Sequence, residues 1–233
     1  MNQIGTTMRK VLIINGHPDS ESFCHAIQRS YKKGSLKNNN EIREVTLSEM
    51  KFNPNLMYGY RKRMELEPDL LEAWDNIKWA DHIVWIYPTW WGSLPALMKG
   101  FIDRLFLPRL ALDYVETSLI PVKLLKGKTS EIISTMDTPP WYYKYIMGDA
   151  GGKLLRVNIC DICGIKNERT TYLSVMRIST PEQRSKWLEK VERLGRNSKT
   201  SIGAPAKITI LFVTLTLFWQ IFLNKSFTSY FRK

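Results

Sequence analysis

Cysteine and histidine are scarce in this sequence of 233 residues, which contains three of each. Cys24, Cys160 and Cys163 are too few, and odd in number, for a disulfide framework, so we expect a reducing compartment. The C-x-x-C spacing of the last two is typical of redox or zinc sites, but there is no second pair and no histidine at ligand spacing. We therefore predict that Cys160 and Cys163 are small buried residues and that the protein holds no metal.

Two glycine motifs are also absent. No G-x-G-x-x-G follows the first apolar run and no G-x-x-x-x-G-K-S/T occurs, which excludes the usual dinucleotide fingerprint and the P-loop. Acidic residues number 22 against 34 basic ones, and the net charge of +12 favours nucleotide phosphates, nucleic acid or anionic lipid as partners. Nucleic acid ranks last, because the basic residues are scattered and no nucleic-acid module is recognisable. The N-terminus lacks the apolar core of a secretion signal.

Strand-like and helix-like segments alternate along most of the chain. Apolar runs predict five strands, at residues 10–15, 41–47, 82–88, 128–136 and 169–176. Helical periodicity lies between them, a long irregular loop is expected before a helix around 153–162, and a last helix is expected at 180–195. This alternation predicts an α/β fold with a parallel sheet covered by helices on both faces. Such sheets bind ligands beyond the carboxyl ends of their strands, so the turns after strands one, three and four are the candidate site.

Two adjacent tryptophans, Trp90 and Trp91, occupy the turn after the third predicted strand. Turns normally take small or polar residues, whereas a flat aromatic ligand at the sheet edge would stack on an indole. The alternative is that the indoles cover the core, because a helix from Pro95 packs beneath them. We expect one of the two to do so, and the other to face a ligand.

The turn after the first strand offers donors for an anion. These are the backbone N–H groups at a helix start, the hydroxyls of Ser20 and Ser22, and His17. Asp19 and Glu21 oppose this interpretation, since they would repel a phosphate. The alternative is that these residues only cap the helix beside a histidine at the surface. This turn by itself supports the two interpretations equally.

Three stretches resemble a known family: GHPDSESFCHAI, ADHIVWIYPTWWGSLPALMKGFIDRLF, and CGIKNERTTYLSV followed by STPEQRSKWLEKV. The family is the flavodoxin-like NAD(P)H dehydrogenases (quinone), with the related drug-activity modulators and regulators of potassium efflux systems. The resemblance spans roughly residues 9–195. It implies a flavodoxin-like fold with a five-stranded parallel sheet, helices on both faces, and a bound flavin.

The resemblance also implies which residues bind that cofactor. The residues that match the family's contacts to the pyrophosphate are His17, Ser22, Phe23 and Cys24. The residues that match the segment along the isoalloxazine edge are Pro88, Thr89, Trp90 and Trp91. The residues that align with the loop whose backbone amides face the flavin pyrimidine are Ser134, Thr135, Met136 and Asp137. Tyr142 falls where many members place a catalytic tyrosine near the hydride-transfer site.

The sequence departs from the family pattern in that last loop. The segment MDTPP replaces paired glycines, and Asp137 adds a charge near the expected ring position. No histidine precedes Gly148 and Asp149 to partner Tyr142, as one does in some quinone reductases. The resemblance therefore favours an orienting role for Tyr142 over proton relay.

The expected function is a flavin-dependent NAD(P)H oxidoreductase that transfers a hydride to a quinone or similar acceptor. FAD is expected rather than FMN, because His17 lies where the diphosphate of the longer cofactor would pass. We also expect a homodimer. The alternative is a flavin- or nucleotide-binding regulatory subunit of a membrane transporter such as a potassium-efflux system.

The C-terminal part of the chain differs from the family pattern. The flavin domain is expected at 1–196, a linker at 197–207, and an uncharged hydrophobic helix at 208–223. Sixteen helical residues span about 24 Å, against about 30 Å for the hydrocarbon core of a bilayer. Flanking basic residues and Trp219 favour attachment to the cytoplasmic face of a membrane. The alternative is a helix that packs on the domain or on a dimer partner.

Overall fold

The computed structural model describes residues 8–116 and 118–198 of the chain. The strands are β1 (Lys10–Asn15), β2 (Glu41–Thr46), β3 (His82–Pro88), β4 (Leu112–Asp113), β5 (Val122–Lys123), β6 (Thr129–Thr135) and β7 (Lys166–Leu173). The helices are α1 (Phe23–Leu36), α2 (Pro68–Trp79), α3 (Ala96–Leu105), α4 (Pro140–Tyr145), α5 (Ala150–Lys153) and α6 (Pro181–Arg196). Helix α5 continues into a π-helical segment at Leu154–Asp161, and a 3₁₀ turn spans Met176–Ile178.

Five strands form one parallel sheet in the order β2-β1-β3-β6-β7. Strands β3 and β6 are buried along their whole length, as expected for central strands covered on both faces. Strand β2 lies at one edge, and its residues are mostly half-buried or exposed. The strand order reverses between β1 and β3, which places the ligand crevice at the carboxyl ends of these strands. The predicted α/β fold with a five-stranded parallel sheet is confirmed.

The alternation of side chains along β1 divides the core between the two faces of the sheet. Val11 and Ile13 point to one face, where they pack with residues of α1 and α6. Leu12 and Ile14 point to the other face, where α2, α3 and the segment after α5 complete the core. Cys160 and Cys163 belong to this second cluster and are buried free thiols, which confirms the prediction made for them.

The structure differs from the sequence-based expectation in three places. The loop expected to be irregular contains α4, which begins at Pro140, and Gly148 (φ +72°) and Asp149 (φ +56°) separate α4 from α5 in left-handed backbone conformations. The fifth strand of the sheet begins at Lys166 and ends at Leu173, three residues earlier than expected at each end. The short antiparallel pair β4–β5 was not anticipated, because two-residue strands carry no periodic signal.

The hydrophobic tail predicted at 208–223 lies outside the described residues. Within residues 8–116 and 118–198, no helix is long and apolar enough to cross a membrane.

Candidate functional site

The turns after β1, β3 and β6 meet at the carboxyl edge of the sheet. The Gly16 N–H donates to the Ile86 carbonyl (2.8 Å), which joins the first turn to β3. The Thr89 N–H donates to the Thr135 carbonyl (2.7 Å), which joins the second turn to β6. The rings of His17 and Trp90 meet edge to face, 5.6 Å between centroids. The structure therefore brings together the three turns that the sequence singles out.

Trp90 and Trp91 lie on a tight two-residue turn. Trp90 and Ser93 exchange backbone hydrogen bonds of 3.0 and 2.9 Å, while Trp91 (φ +50°) and Gly92 (φ +73°) occupy the two central positions. Positive φ at both central residues is the pattern of a type I′ turn. Trp90 is 45% exposed and Trp91 is 104% exposed, so the expectation that one indole covers the core is wrong. The turn holds both indoles at the surface. Trp91 adopts a left-handed backbone conformation in this turn, which costs on the order of 1 kcal/mol or more.

The carbonyl of Gly92 anchors this turn to the segment after β6. It accepts hydrogen bonds from the Tyr143 hydroxyl (2.9 Å) and from the Gly151 N–H (2.9 Å). The Gly151 N–H also lies 2.9 Å from the Tyr143 oxygen, so the three groups form one closed set. A Cβ at position 151 would come within 2.9 Å of the Gly92 oxygen, which requires glycine there. Tyr143 is not among the residues predicted from the sequence, because its contact is with Gly92, 51 residues away along the chain.

A second polar group supports Tyr143 from behind. The rings of Tyr143 and Tyr172 meet edge to face (5.4 Å between centroids), and the Tyr172 hydroxyl donates a short hydrogen bond to the Asp149 carboxylate. Arg156 Nη2 donates to the other carboxylate oxygen at 2.7 Å. Burial raises the pKa of the Tyr172 phenol, and the hydrogen bond to Asp149 raises it further. Tyr172, Asp149 and Arg156 thus bond to one another and support the segment that carries Tyr143.

The first turn contains a neutral histidine. His17 Nδ1 accepts a hydrogen bond from the Asp19 N–H (3.0 Å), so the ring carries its proton on Nε2. Burial lowers the pKa of His17, more than the nearby Asp19 carboxylate raises it. The Asp19 carboxylate itself accepts from the Glu21 N–H (3.0 Å). His17 can therefore offer a neutral N–H donor at this edge. One oxygen of the Asp19 carboxylate is already hydrogen-bonded to the Glu21 N–H within the same turn.

Helix α1 begins at the end of this turn with free backbone donors. The N–H groups of Phe23 and Cys24 belong to the first helical turn and have no intrahelical acceptor. Ser22 is the N-cap, and among the described residues its hydroxyl makes no capping bond. The Cys24 thiol faces Thr135 Oγ1 (3.8 Å), and burial raises its pKa to about 12. Cys24 can therefore contribute a backbone N–H but no reactive thiolate.

The loop after β6 uses part of its polar groups internally. Ser134 Oγ and Thr89 Oγ1 share a hydrogen bond of 2.7 Å, and the Met136 N–H donates to the Leu173 carbonyl (3.1 Å). The Asp137 carboxylate accepts from the Arg177 N–H (2.7 Å). The Met136 amide, one of those expected to face a ring, is therefore occupied by the chain itself.

A cavity of about 510 Å³ opens between the second and third turns. Its lining is Thr89, Trp90, Trp91, Gly92, Asp137, Thr138 and Met147. Tyr142 lies on α4, 41% exposed and in edge contact with Trp141, outside this lining. Pro88 and Ser134 lie beneath the cavity as buried strand residues.

The arrangement is suited to binding rather than to acid–base or nucleophilic chemistry by side chains. One end offers neutral N–H donors at a helix start, which suit a phosphate, and the other offers exposed aromatic faces, which suit a flat ring. In the described part of the chain, no group of three His, Cys, Asp or Glu side chains is placed to hold a metal ion. A flat cofactor with a phosphate-bearing chain fits this donor set.

Residues 9–195 match the family described as having a flavodoxin-like fold. An uncharacterized NAD(P)H oxidoreductase of Haemophilus influenzae is 32% identical over 161 residues, which cover 67% of this chain and 79% of the relative. The NAD(P)H dehydrogenase (quinone) 1 of Rattus norvegicus is 25% identical over 127 residues, which cover 46% of each chain. The matched segment is thus less than half of the rat protein.

Solved structures give the same picture. The crystal structure of Smu.1420 from Streptococcus mutans matches with a TM-score of 0.71 and 31% identity, over 81% of this chain and 99% of that one. An FMN-dependent NADH-azoreductase of Bacillus anthracis, solved in complex with FMN, matches with a TM-score of 0.61 and 22% identity, over 81% and 98%. At that lower identity the likeness shows the fold alone.

Proposed function

This chain belongs to the flavodoxin-like fold family and is an oxidoreductase, and on that premise we propose a flavin-dependent NAD(P)H oxidoreductase that reduces a quinone or similar acceptor. The observation that carries the proposal is the turn at Trp90 and Trp91. It presents two exposed indoles beside a cavity of about 510 Å³, and Trp90 contacts His17 of the turn that leads into helix α1. A flat, apolar ring with a phosphate is the ligand that uses both features.

In this proposal the first turn binds the phosphate side of the cofactor. His17 donates through Nε2–H, and Phe23 and Cys24 donate through their backbone N–H groups. The positive end of the α1 dipole adds to these bonds without adding a formal charge. Ser22 contributes its hydroxyl.

The second and third turns bind the ring side. Trp90 and Trp91 supply aromatic faces, and Thr89 and Ser134 fix the spacing of β3 and β6 through their shared hydrogen bond. A bound flavin would supply hydride transfer from NAD(P)H and two-electron reduction of the acceptor. Asp137, which is held by the Arg177 N–H, places a carboxylate at the cavity wall and disfavours anionic acceptors there.

Tyr142 is proposed to orient the nicotinamide or the acceptor. It is exposed beside Trp141 on α4, the helix next to the cavity. No histidine occurs between residues 137 and 149 to complete a proton relay with it. We expect a modest loss of acceptor turnover in Tyr142→Phe, with the flavin still bound.

The cofactor, oligomer and location complete the proposal. We predict FAD, with FMN as the alternative that the Bacillus azoreductase uses. We predict a homodimer, for which the apolar residues exposed between Tyr114 and Leu124 offer a surface. A cytoplasmic location, with membrane attachment through 208–223, also stays a prediction. Size-exclusion chromatography and fractionation of chains with and without residues 204–233 test these two points.

The test of the function is spectroscopic and kinetic. The purified full-length chain should be yellow, or become so with FAD or FMN, and NADH or NADPH should bleach the flavin absorbance. Menadione should then be reduced catalytically. A chain that binds flavin and NAD(P)H without turnover would favour the regulatory-subunit alternative, and a chain that takes up neither FAD nor FMN would refute the flavin-dependent oxidoreductase.

A further inference from the structure

The side chain of Ser22 does not cap the helix that it begins. Ser22 has the extended backbone of an N-cap residue (φ −67°, ψ 159°), and serine there normally accepts from the second or third helical N–H. Its Oγ instead lies 3.1 Å from His25 Nδ1. This is the one described hydrogen bond of that hydroxyl. The helix therefore lacks the side-chain cap that serine usually provides at this position.

His25 is buried beneath the first turn, with 9% of its surface exposed. Its second ring nitrogen, Nε2, is buried and has no hydrogen-bond partner among the described residues. Gln28, one turn along the helix, cannot supply one. Its amide already accepts from Asn15 Nδ2 (2.7 Å) and donates to Glu44 Oε1 (2.9 Å) and Thr46 Oγ1 (3.2 Å).

The direction of the bond between His25 and Ser22 decides what the hydroxyl can do. If Ser22 donates to Nδ1, its proton points into the protein. If Nδ1–H donates to Ser22, the hydroxyl proton is left for another acceptor. A phosphate oxygen only accepts, so a phosphate at the start of α1 selects the second arrangement.

We propose that His25 is a positioning residue of the phosphate side of the site: its Nδ1–H donates to Ser22 Oγ, and the Ser22 hydroxyl donates to the cofactor phosphate. The inference rests on the proposed flavin site. A chain of two hydrogen bonds in a buried setting polarises the hydroxyl and strengthens its bond to the anion. It also accounts for the lost cap, because the hydroxyl is held away from the helix amides.

The test compares FMN with riboflavin, which lacks the phosphate, on the full-length chain stripped of flavin. His25→Leu should weaken FMN binding about tenfold, the loss expected for one hydrogen bond to a charged group. Riboflavin binding should be unchanged. His25→Asn, whose amide can take the place of Nδ1, should restore FMN binding to within about threefold. Thermal unfolding confirms that each variant is folded.

A double-mutant cycle on FMN alone gives a second measurement. Ser22→Ala should cost about as much as His25→Leu, and the double variant should cost little more than either one. Additive losses, equal losses for FMN and riboflavin, or no loss in His25→Leu would each overturn the positioning role while leaving the flavin site intact. An unsubstituted chain that binds none of FAD, FMN and riboflavin would overturn the flavin site itself.

Discussion

At the carboxyl edge of the sheet two aromatic rings are exposed, whereas at the amino edge three ionisable side chains are buried and each makes a hydrogen bond to a neighbouring polar group. The first edge presents Trp90 and Trp91 to solvent, and among the described residues the Phe23 and Cys24 N–H groups at the start of α1 have no intrahelical acceptor. The second buries Arg9, His82 and Glu131, each no more than 2% exposed. The same five strands thus carry two opposite arrangements of polar groups.

The amino edge holds a network that joins β3, β6 and β7 to Arg9, the residue before β1. Arg9 donates to Thr129 Oγ1 and pairs with Glu168 at 3.4 Å. His82 Nδ1 shares a hydrogen bond of 2.8 Å with the same Thr129 oxygen. The Tyr31 hydroxyl donates to Glu131 at 3.3 Å, which links helix α1 to β6 near the same edge.

The difference separates groups that stabilise the fold from groups that are available to a ligand. A bonded buried network rigidifies the sheet, and removing one member leaves the others unpaired. An exposed aromatic surface and free amides contribute little to stability and gain their interactions only when something binds. Substitutions at the amino edge should therefore lower stability, and substitutions at the carboxyl edge should lower binding.

The largest effect is expected at Arg9. Arg9→Met removes the guanidinium group that pairs with Glu168 and donates to Thr129. Both of these groups then lose that partner. We expect a loss of about 3 kcal/mol in the free energy of unfolding, measured by urea denaturation. Lys186→Met, an exposed position on α6, is the matched control and should change stability by less than about 0.5 kcal/mol. Flavin affinity of folded Arg9→Met should be unchanged, and a parallel loss of affinity would show that the two edges are coupled.

The pH dependence of stability should come from the same edge. Burial, with the charges of Arg9 and Arg169, holds the pKa of His82 well below its usual value of 6.5. Below about pH 6.5 the His82 side chain binds a proton in the unfolded chain but not in the folded chain. The free energy of unfolding therefore falls as the pH is lowered. The slope is at most about 1.4 kcal/mol per pH unit.

His82→Asn isolates this contribution. The asparagine amide can keep the bond to Thr129 and does not titrate. The free energy of unfolding of the variant should therefore depend less on pH between 6.5 and 5. Glu131 acts in the opposite direction, because burial raises its pKa and protonation then favours the folded state. The contribution of His82 is therefore the difference in pH dependence between the unsubstituted chain and His82→Asn. Identical pH slopes would remove His82 as the cause.

Tyr143 should affect both stability and binding. Tyr143→Phe removes the hydroxyl that joins the Gly92 carbonyl to the Gly151 N–H, and should cost about 1 kcal/mol of stability. Because the Trp turn is then held by fewer bonds, flavin retention on gel filtration should also fall. Tyr145→Phe on the same helix, 81% exposed, is the matched control and should change neither.

The sequence allowed the sheet and the three turns to be predicted because both depend on local pattern. Continuous apolar runs such as β3 and the helical pattern at 180–195 are local signals, and the structure reproduces them. The support of the Trp turn by Tyr143 and Gly151 depends on contacts between residues more than 50 positions apart, or on one left-handed backbone angle. The exposure of both indoles likewise follows from the positive φ of Trp91, which no propensity predicts for tryptophan.

The smallest effect on stability, and the clearest on binding, is expected at Trp91. Asparagine tolerates the left-handed conformation, so Trp91→Asn removes the indole and keeps the turn. Stability should stay within about 0.5 kcal/mol, because a fully exposed side chain buries nothing on folding. Flavin or acceptor binding should weaken by about 1 kcal/mol, the value of one aromatic stacking contact. Trp91→Phe keeps an aromatic face at the same position and should recover most of that affinity. Fluorescence titration with FMN, and the KM for menadione, measure the two ligands separately. If both variants bind these ligands as tightly as the unsubstituted chain, Trp91 does not contact the ring, and Trp90 is the one indole of the turn left to stack on it.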